Sequence, residues 1–286
     1  MKKRIEIKLT VAAAPQRLFR ALTTTQELTR WFCQHAEVSL EERRYDFWGQ
    51  FTPEVPEQDH GHHSLFALEA DRRLTFSWHL YEAKTIVDIR LAVQEESTLV
   101  TLVHERVPAP EPGETNLADF WALSLENLRS WVERGVVGPR CDFSAVPHGD
   151  VRASIDIAAP QEVVYDALVR PDELERYLAT RAAVELRPGG LYSFGWKEGG
   201  PVKILELVPN ERLSYSWIYK DQPETVVTWT LKGSGGRTRL TLVHSGFADR
   251  KSRNYKAGWL KFLAYLKNLV EVGSHWQRPV VLVTDC

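Results

Sequence analysis

Twice in this chain a β-prone stretch ending in histidine is followed by a long helix-patterned stretch, and few folds can accommodate that order twice. Residues 101–104 read Thr-Leu-Val-His and precede a helix expected over 117–134. Residues 241–244 read Thr-Leu-Val-His again and precede a helix expected over 254–272. In the first helix Leu117, Phe120, Trp121, Leu125, Leu128, Trp131 and Val132 are spaced for one face. In the second, Tyr255, Trp259, Phe262, Leu263, Leu266, Leu269 and Val270 are spaced likewise. Stripes this wide need a broad apolar surface to lie on, which the alternating strands before each helix can supply.

Set side by side, the halves repeat at about 140–146 residues, a period that suits a duplicated domain rather than a solenoid unit. A strand at 5–11 matches one at 151–157, both alternating apolar and polar residues. A proline-opened helix at 15–22 matches 160–168, since proline loses nothing in a first helical turn. A second short helix at 27–32 matches 173–178. Strands at 45–48, 73–78 and 85–93 then match 192–195, 212–217 and 225–232, before the histidine-ending strands close each sheet. Turns such as Pro188-Gly189-Gly190 and Gly233-Ser234-Gly235-Gly236 are too short for crossover helices, so the strands are antiparallel.

The expected fold class is α+β: tandem domains, each a curved antiparallel sheet wrapped around a long C-terminal helix, with two short helices after the first strand. Gly135, Gly138, Pro139, Pro147 and Gly149 mark the break between them. The expected division is a domain at 1–138, a linker at 139–150, a domain at 151–276 and a tail at 277–286. The tail's Val280-Val281-Leu282-Val283 is β-prone and suits an exposed sheet edge or contact with the other domain.

A chain of 286 residues has room for two separate cores. Its net charge of −2 argues against nucleic acid as a partner, because phosphate binding needs a basic surface. Cys33, Cys141 and Cys286 are odd in number and share no metal-type spacing. They read as reduced thiols, which makes the cytoplasm the expected location. The basic start gives way to alternating Ile5, Ile7 and Leu9 rather than an apolar run, so neither a signal peptide nor a membrane span is expected.

The segments "ALVRPDELERYL" (167–178), "ERLSYSW" (211–217), "TRLTLVHSGF" (238–247) and "GWLKFLAYLKNLVE" (258–271) resemble the START-like helix-grip (Bet v-like, SRPBCC) superfamily, and most of all the branch named after the activator of Hsp90 ATPase. In the first half "ALTTTQELTRWF", "RRLTFSW" and "TLVTLVHERV" carry the same resemblance. There Glu41–Arg44 replaces the glycine-rich turn of the second half. The resemblance implies the tandem helix-grip fold and a pocket between each sheet and its long helix.

Strand parity assigns side chains to that pocket. Val100, Leu102 and His104 share one parity, as do Leu240, Leu242 and His244. Trp78 goes with Leu74 and Phe76, Trp217 with Leu213 and Tyr215, and Trp229 with Val227 and Leu231. The candidate ligand-binding residues are therefore Trp78, His104 and Trp121 in the first half. In the second they are Tyr192, Phe194, Trp217, Trp229, His244, Trp259 and Phe262. The competing reading makes the same aromatics plain core and the histidines strand-end residues bonded to nearby backbone.

Asp59-His60-Gly61-His62-His63 has metal-ligand chemistry. It stands beside Pro53 and Pro56 without a counterpart in the second half, and it reads as a solvated loop. No metal, cofactor or catalytic residue is expected. Cys33 follows Trp31-Phe32 and aligns with Ala179, which points to packing rather than reactivity. Arg250-Lys251-Ser252-Arg253 reads as a solvated basic patch.

Three functions compete. The first is non-enzymatic binding of a small hydrophobic or aromatic molecule. The second is a polyketide aromatase/cyclase-like enzyme with His104 or His244 as general base, against which Asp88 and Arg90 fall on the opposite strand parity. The third, implied by the resemblance, is a protein partner of the Hsp90 chaperone type.

Overall fold

The computed structural model describes residues 2–55, 57, 63–110, 114–144, 149–220, 222–250 and 252–285. The first half forms β1 (Lys3–Val11), α1 (Pro15–Thr23), α2 (Thr25–Trp31), β2 (His35–Ser39), β3 (Arg44–Trp48), β4 (His63–Glu69), β5 (Arg73–Leu80), β6 (Ala83–Gln94), β7 (Ser97–Val107) and α3 (Leu117–Arg134). The second forms β8 (Val151–Ile157), α4 (Gln161–Val169), α5 (Pro171–Tyr177), β9 (Ala183–Val184), β10 (Tyr192–Ser193), β11 (Gly200–Val208), β12 (Arg212–Ile218), β13 (Thr225–Ser234), β14 (Arg237–Ser245) and α6 (Arg253–Val272). A last strand, β15 (Val280–Asp285), follows. One compact unit comprises Met1–Glu111, Thr115–Ala145 and Pro279–Cys286, the other Pro112–Glu114 and Val146–Arg278.

In the first unit the strands lie in the order β15-β1-β7-β6-β5-β4, antiparallel throughout, with β2 and β3 forming a separate hairpin. Ile5, Ile7, Leu9 and Val11 of β1 face the core, and Glu6 and Lys8 face away. The long helix α3 packs on the core side. Its start is capped by Asn116, whose side-chain oxygen accepts from the Ala118 N–H at 2.8 Å. Its end is closed by Gly135 at φ 70°, a left-handed conformation that glycine adopts without a Cβ penalty. Glu27, buried on α2, accepts from Arg17, Arg20 and the Trp131 indole, which ties α1 and α2 to α3.

The second unit repeats this plan with the order β11-β12-β13-β14-β8 and α6 against the core face. The registers correspond. His104 stands opposite Val87 and Ile5, and His244 opposite Val227 and Val151. The tail strand β15 edges the first sheet, with Val281 opposite Ile7 and Val283 opposite Ile5.

Four strands, β2, β4, β9 and β11, are absent from the pattern reading. In β4 and β11 the ladder shifts register, between Leu65 and Ala67 and at two places between Pro201 and Glu206, so the period-two signal breaks. Asp59 to His62 lie outside the described residues. His63 departs from the expected solvated loop: it opens β4 opposite Trp78, is buried, and sets its ring 3.9 Å from that of Phe47. A β-strand partner and an aromatic bed outweigh the polar local composition.

Leu128 and Leu266 occupy matching central turns of α3 and α6 and are fully buried. Leu128→Ala or Leu266→Ala should cost about 2–5 kcal/mol in denaturant melts. A loss under roughly 0.5 kcal/mol, the level of a surface change, would contradict the packing described.

Candidate functional site

Each sheet–helix gap is built around its inward histidine. Nδ1 of His104 accepts from the Trp121 indole N–H at 2.9 Å. An indole nitrogen only donates, so the imidazole proton must sit on Nε2. Nε2–H then donates to Thr85 Oγ1 at 2.8 Å, and that hydroxyl donates to the Trp78 carbonyl at 2.6 Å. The second unit repeats the chain group for group. Trp259 donates to Nδ1 of His244 at 3.0 Å, Nε2 meets Thr225 Oγ1 at 2.8 Å, and the hydroxyl donates to the Trp217 carbonyl at 3.3 Å.

Among the described residues neither imidazole is bonded directly to backbone, which the core reading expected. Both are spent on side chains brought from a helix and a neighbouring strand. Burial pushes the imidazole of His104 down to about 3. Burial, aided by the Arg250 charge, does the same to His244, also to about 3. Both rings are neutral at ordinary pH, and neither has a lone pair free to accept a substrate proton. Asp88 lies on the far face of the sheet, as its parity implied. There burial works against its charge, but bonds from Arg73, Thr75 and Arg90 hold its carboxyl below the usual range.

Aromatic rings pack around each histidine. In the first unit Trp78 stacks at 6.0 Å from His104 and stands 5.9 Å from Trp121, on which Phe32 stacks at 5.5 Å. In the second, Trp217 lies 5.4 Å from both His244 and Trp259, and Trp229 lies 5.6 Å from Trp259. Tyr192 is 5.5 Å from Phe194, and Phe262 is 6.2 Å from Trp259. Thus Trp78, His104 and Trp121 are brought together in one gap. The seven second-half candidates join one continuous ring cluster in the other.

The two clusters differ at the surface. Phe262 is half-buried and stacks at 5.9 Å on half-buried Trp196, which lies 5.1 Å from Phe194 and 5.7 Å from Trp217. Trp196 was missing from the candidates. The signal for it was its place beyond Phe194, where the first half has Gly49. It is positioned by Gly195, at φ 69°, where a Cβ would fall 2.4 Å from the Arg181 carbonyl oxygen. Phe262 aligns with buried Ser124, so the first cluster has neither ring of this half-buried pair.

Elsewhere the chemistry is muted. Burial pushes the Cys33 thiol up to about 12, which removes its nucleophilic form. Among the described residues no group of three or more His, Cys, Asp or Glu side chains is placed to hold a metal ion. Among them, too, no helix is long and apolar enough to cross a membrane.

Residues 12–133 and 158–271 match the family described as Activator of Hsp90 ATPase homolog 1-like protein. The chain belongs to this family, in two tandem copies. Similar solved structures include a protein from Chromobacterium violaceum at 29% identity, covering 43% of this chain and 97% of that one, with a TM-score of 0.38. The Aha1 dimer from Colwellia psychrerythraea matches at 23% identity over 44% of this chain and 98% of that one, TM-score 0.40. DynU16, a protein of the dynemicin biosynthetic locus, matches at 16% identity over 94% and 98%, TM-score 0.35. None of the curated proteins matches this chain.

The buried histidines give the family fold here a pH signature. Unfolded imidazoles titrate near pH 6.5, whereas His104 and His244 hold out to about 3. Between those values the unfolded chain binds more protons, so stability is full above about pH 6.5 and is lost as pH falls towards 3. Each histidine should cost about 2 kcal/mol between pH 7.5 and 5.0. In denaturant melts a His104→Gln or His244→Gln variant, weaker at both pH values, should lose correspondingly less over that interval than the parent. Equal losses would contradict neutral burial.

Proposed function

We propose that this chain binds a small hydrophobic or aromatic molecule in the sheet–helix gap of its second unit and performs no chemistry on it. One observation carries this reading: the aromatic cluster runs unbroken from buried Trp217 and Trp259 to half-buried Trp196 and Phe262 at the surface. Rings at such a mouth can swing aside and restack on a guest ring, so burial of the ligand drives binding. The cyclase-like reading lacks a base, because both nitrogens of His104 and of His244 are already committed. Reduced cysteines support a cytoplasmic location.

The family description names an activator of Hsp90 ATPase. A chaperone partner is therefore the reading that takes the lead if small molecules fail.

A panel of neutral bicyclic and tricyclic aromatic compounds should quench tryptophan fluorescence and raise the melting temperature. At a hundredfold excess over Kd the added stability should be about 2.7 kcal/mol. Trp196→Ala and Phe262→Ala should weaken binding while leaving the fold intact, because both side chains lie near the surface. Absence of any quenching or melting shift across the panel would sink the proposal.

A further inference from the structure

The far face of the first sheet, turned away from the long helix, carries a row of charge that the second sheet lacks. Arg73 on β5 stands directly opposite Arg90 on β6, Arg90 opposite Thr101 on β7, and Thr101 opposite Lys8 on β1. The matching row of the second unit is Arg212, Thr230, Thr241 and Ser154. Hydroxyls satisfy one another there. Ser154 meets Thr241 at 3.0 Å and, one row on, Ser214 meets Thr228 at 3.1 Å. The fold therefore needs no charge at the places of Lys8, Asp88 and Arg90. Like charges directly opposite one another in a sheet are unfavourable, and so is burying a carboxylate. The first unit does both.

Asp88, 8% exposed, holds the two arginines side by side. Its Oδ1 accepts from Arg73 Nε at 2.7 Å and from the Thr75 hydroxyl at 2.6 Å, and its Oδ2 accepts from Arg90 Nε at 2.7 Å. Anchoring through Nε leaves the outer Nη atoms of each guanidinium over. Among the described residues those of Arg90 have no hydrogen-bond partner, and Nη1 of Arg73 is 3.9 Å from Glu69, too far for one. Lys8 and Arg4 both pair with Glu6, and Arg4 lies 3.9 Å from Glu105, so four cations meet three carboxylates on this face. A recess of about 510 Å³ opens over them, with Arg73, Arg90, Thr101 and Lys8 in its lining. That is a usual size for a small-molecule site. The same two arginines also wall a second hollow, beside Pro15 and Gln16 at the start of α1.

We propose that this recess binds the diphosphate group of a small molecule, one phosphate on the forks of Arg73 and Arg90 and the other on Thr101 and Lys8. A planar guanidinium matches phosphate oxygens two at a time, and one fixed by its Nε is already oriented to do so. Arg90 and Lys8 stand two strand spacings apart, about 10 Å. A single phosphate in the arginine forks leaves Lys8 unused, whereas a second in series reaches it past the Thr101 hydroxyl. The site belongs to the first unit alone and is independent of the ring cluster in the second.

The test is calorimetric titration of the full chain with inorganic pyrophosphate and with orthophosphate at low salt, where exposed charges are least screened. Pyrophosphate should bind about tenfold tighter or more than orthophosphate. Arg90→Thr, the residue type the second unit has there, should weaken both anions about tenfold or more. Lys8→Ser should bring pyrophosphate down to the level of orthophosphate and leave orthophosphate as it was. Lys8 is half-exposed and makes no bond to Asp88, so this variant reads the site without disturbing the arginines. Arg212→Thr, on the second sheet, should change neither anion. ADP and geranyl diphosphate distinguish the sources of the group. Tighter binding of the first puts a nucleoside on it, tighter binding of the second a hydrocarbon chain, and either supports the site. No binding of pyrophosphate by the wild type, or binding no tighter than that of orthophosphate, overturns the proposal. So does binding that Arg90→Thr leaves unchanged or that Arg212→Thr weakens equally.

Discussion

A neutral imidazole held between an indole and a hydroxyl fixes the geometry of both halves of this protein. Each chain of bonds joins three strands to the long helix: Trp121 on α3, His104 on β7, Thr85 on β6 and the Trp78 carbonyl on β5. Removing any member leaves a buried polar group unpaired, which costs about 1–3 kcal/mol. The indole bond also sets the rotation of the helix, because Trp121 can reach Nδ1 only with Phe120, Leu125 and Leu128 turned to the sheet. Its repetition through Trp259, His244, Thr225 and Trp217 shows the same solution retained in both copies.

What satisfies the fold restricts the chemistry. An inward histidine in a pocket is the first residue to suspect of proton transfer, yet here its tautomer and both nitrogens are already assigned. Around this shared frame the ring clusters of the two copies diverge. The first copy closes its gap with Trp31, Phe32, Phe47, Phe76 and Phe120. The second keeps the histidine frame but adds Trp196 and Phe262 at the surface and phenols within.

Much of the frame could be read from the sequence because it rests on periodicity. The long helices, the histidine-ending strands and the inward parity of His104 and His244 follow from spacings of two and of three to four residues. The histidine partners did not follow, because Trp121 stands 17 residues beyond His104 and only the packed helix brings its nitrogen to the ring. Strands with register shifts, such as β4 and β11, escaped for lack of alternation. His63 was misread because local composition cannot show that Phe47 and Trp78 wait for its ring. Trp196 was visible as a letter, and its difference from Gly49 shows only when the two halves are set side by side.

The histidine frame is tested most directly by nitrogen NMR of the imidazole side chains. His104 and His244 should each show one neutral tautomer, protonated at Nε2 and accepting at Nδ1, unchanged from pH 8 down to about pH 5. A protonation midpoint near 6.5 for either ring, or a resonance pattern with the proton on Nδ1, would contradict the bonded chain on which the account rests.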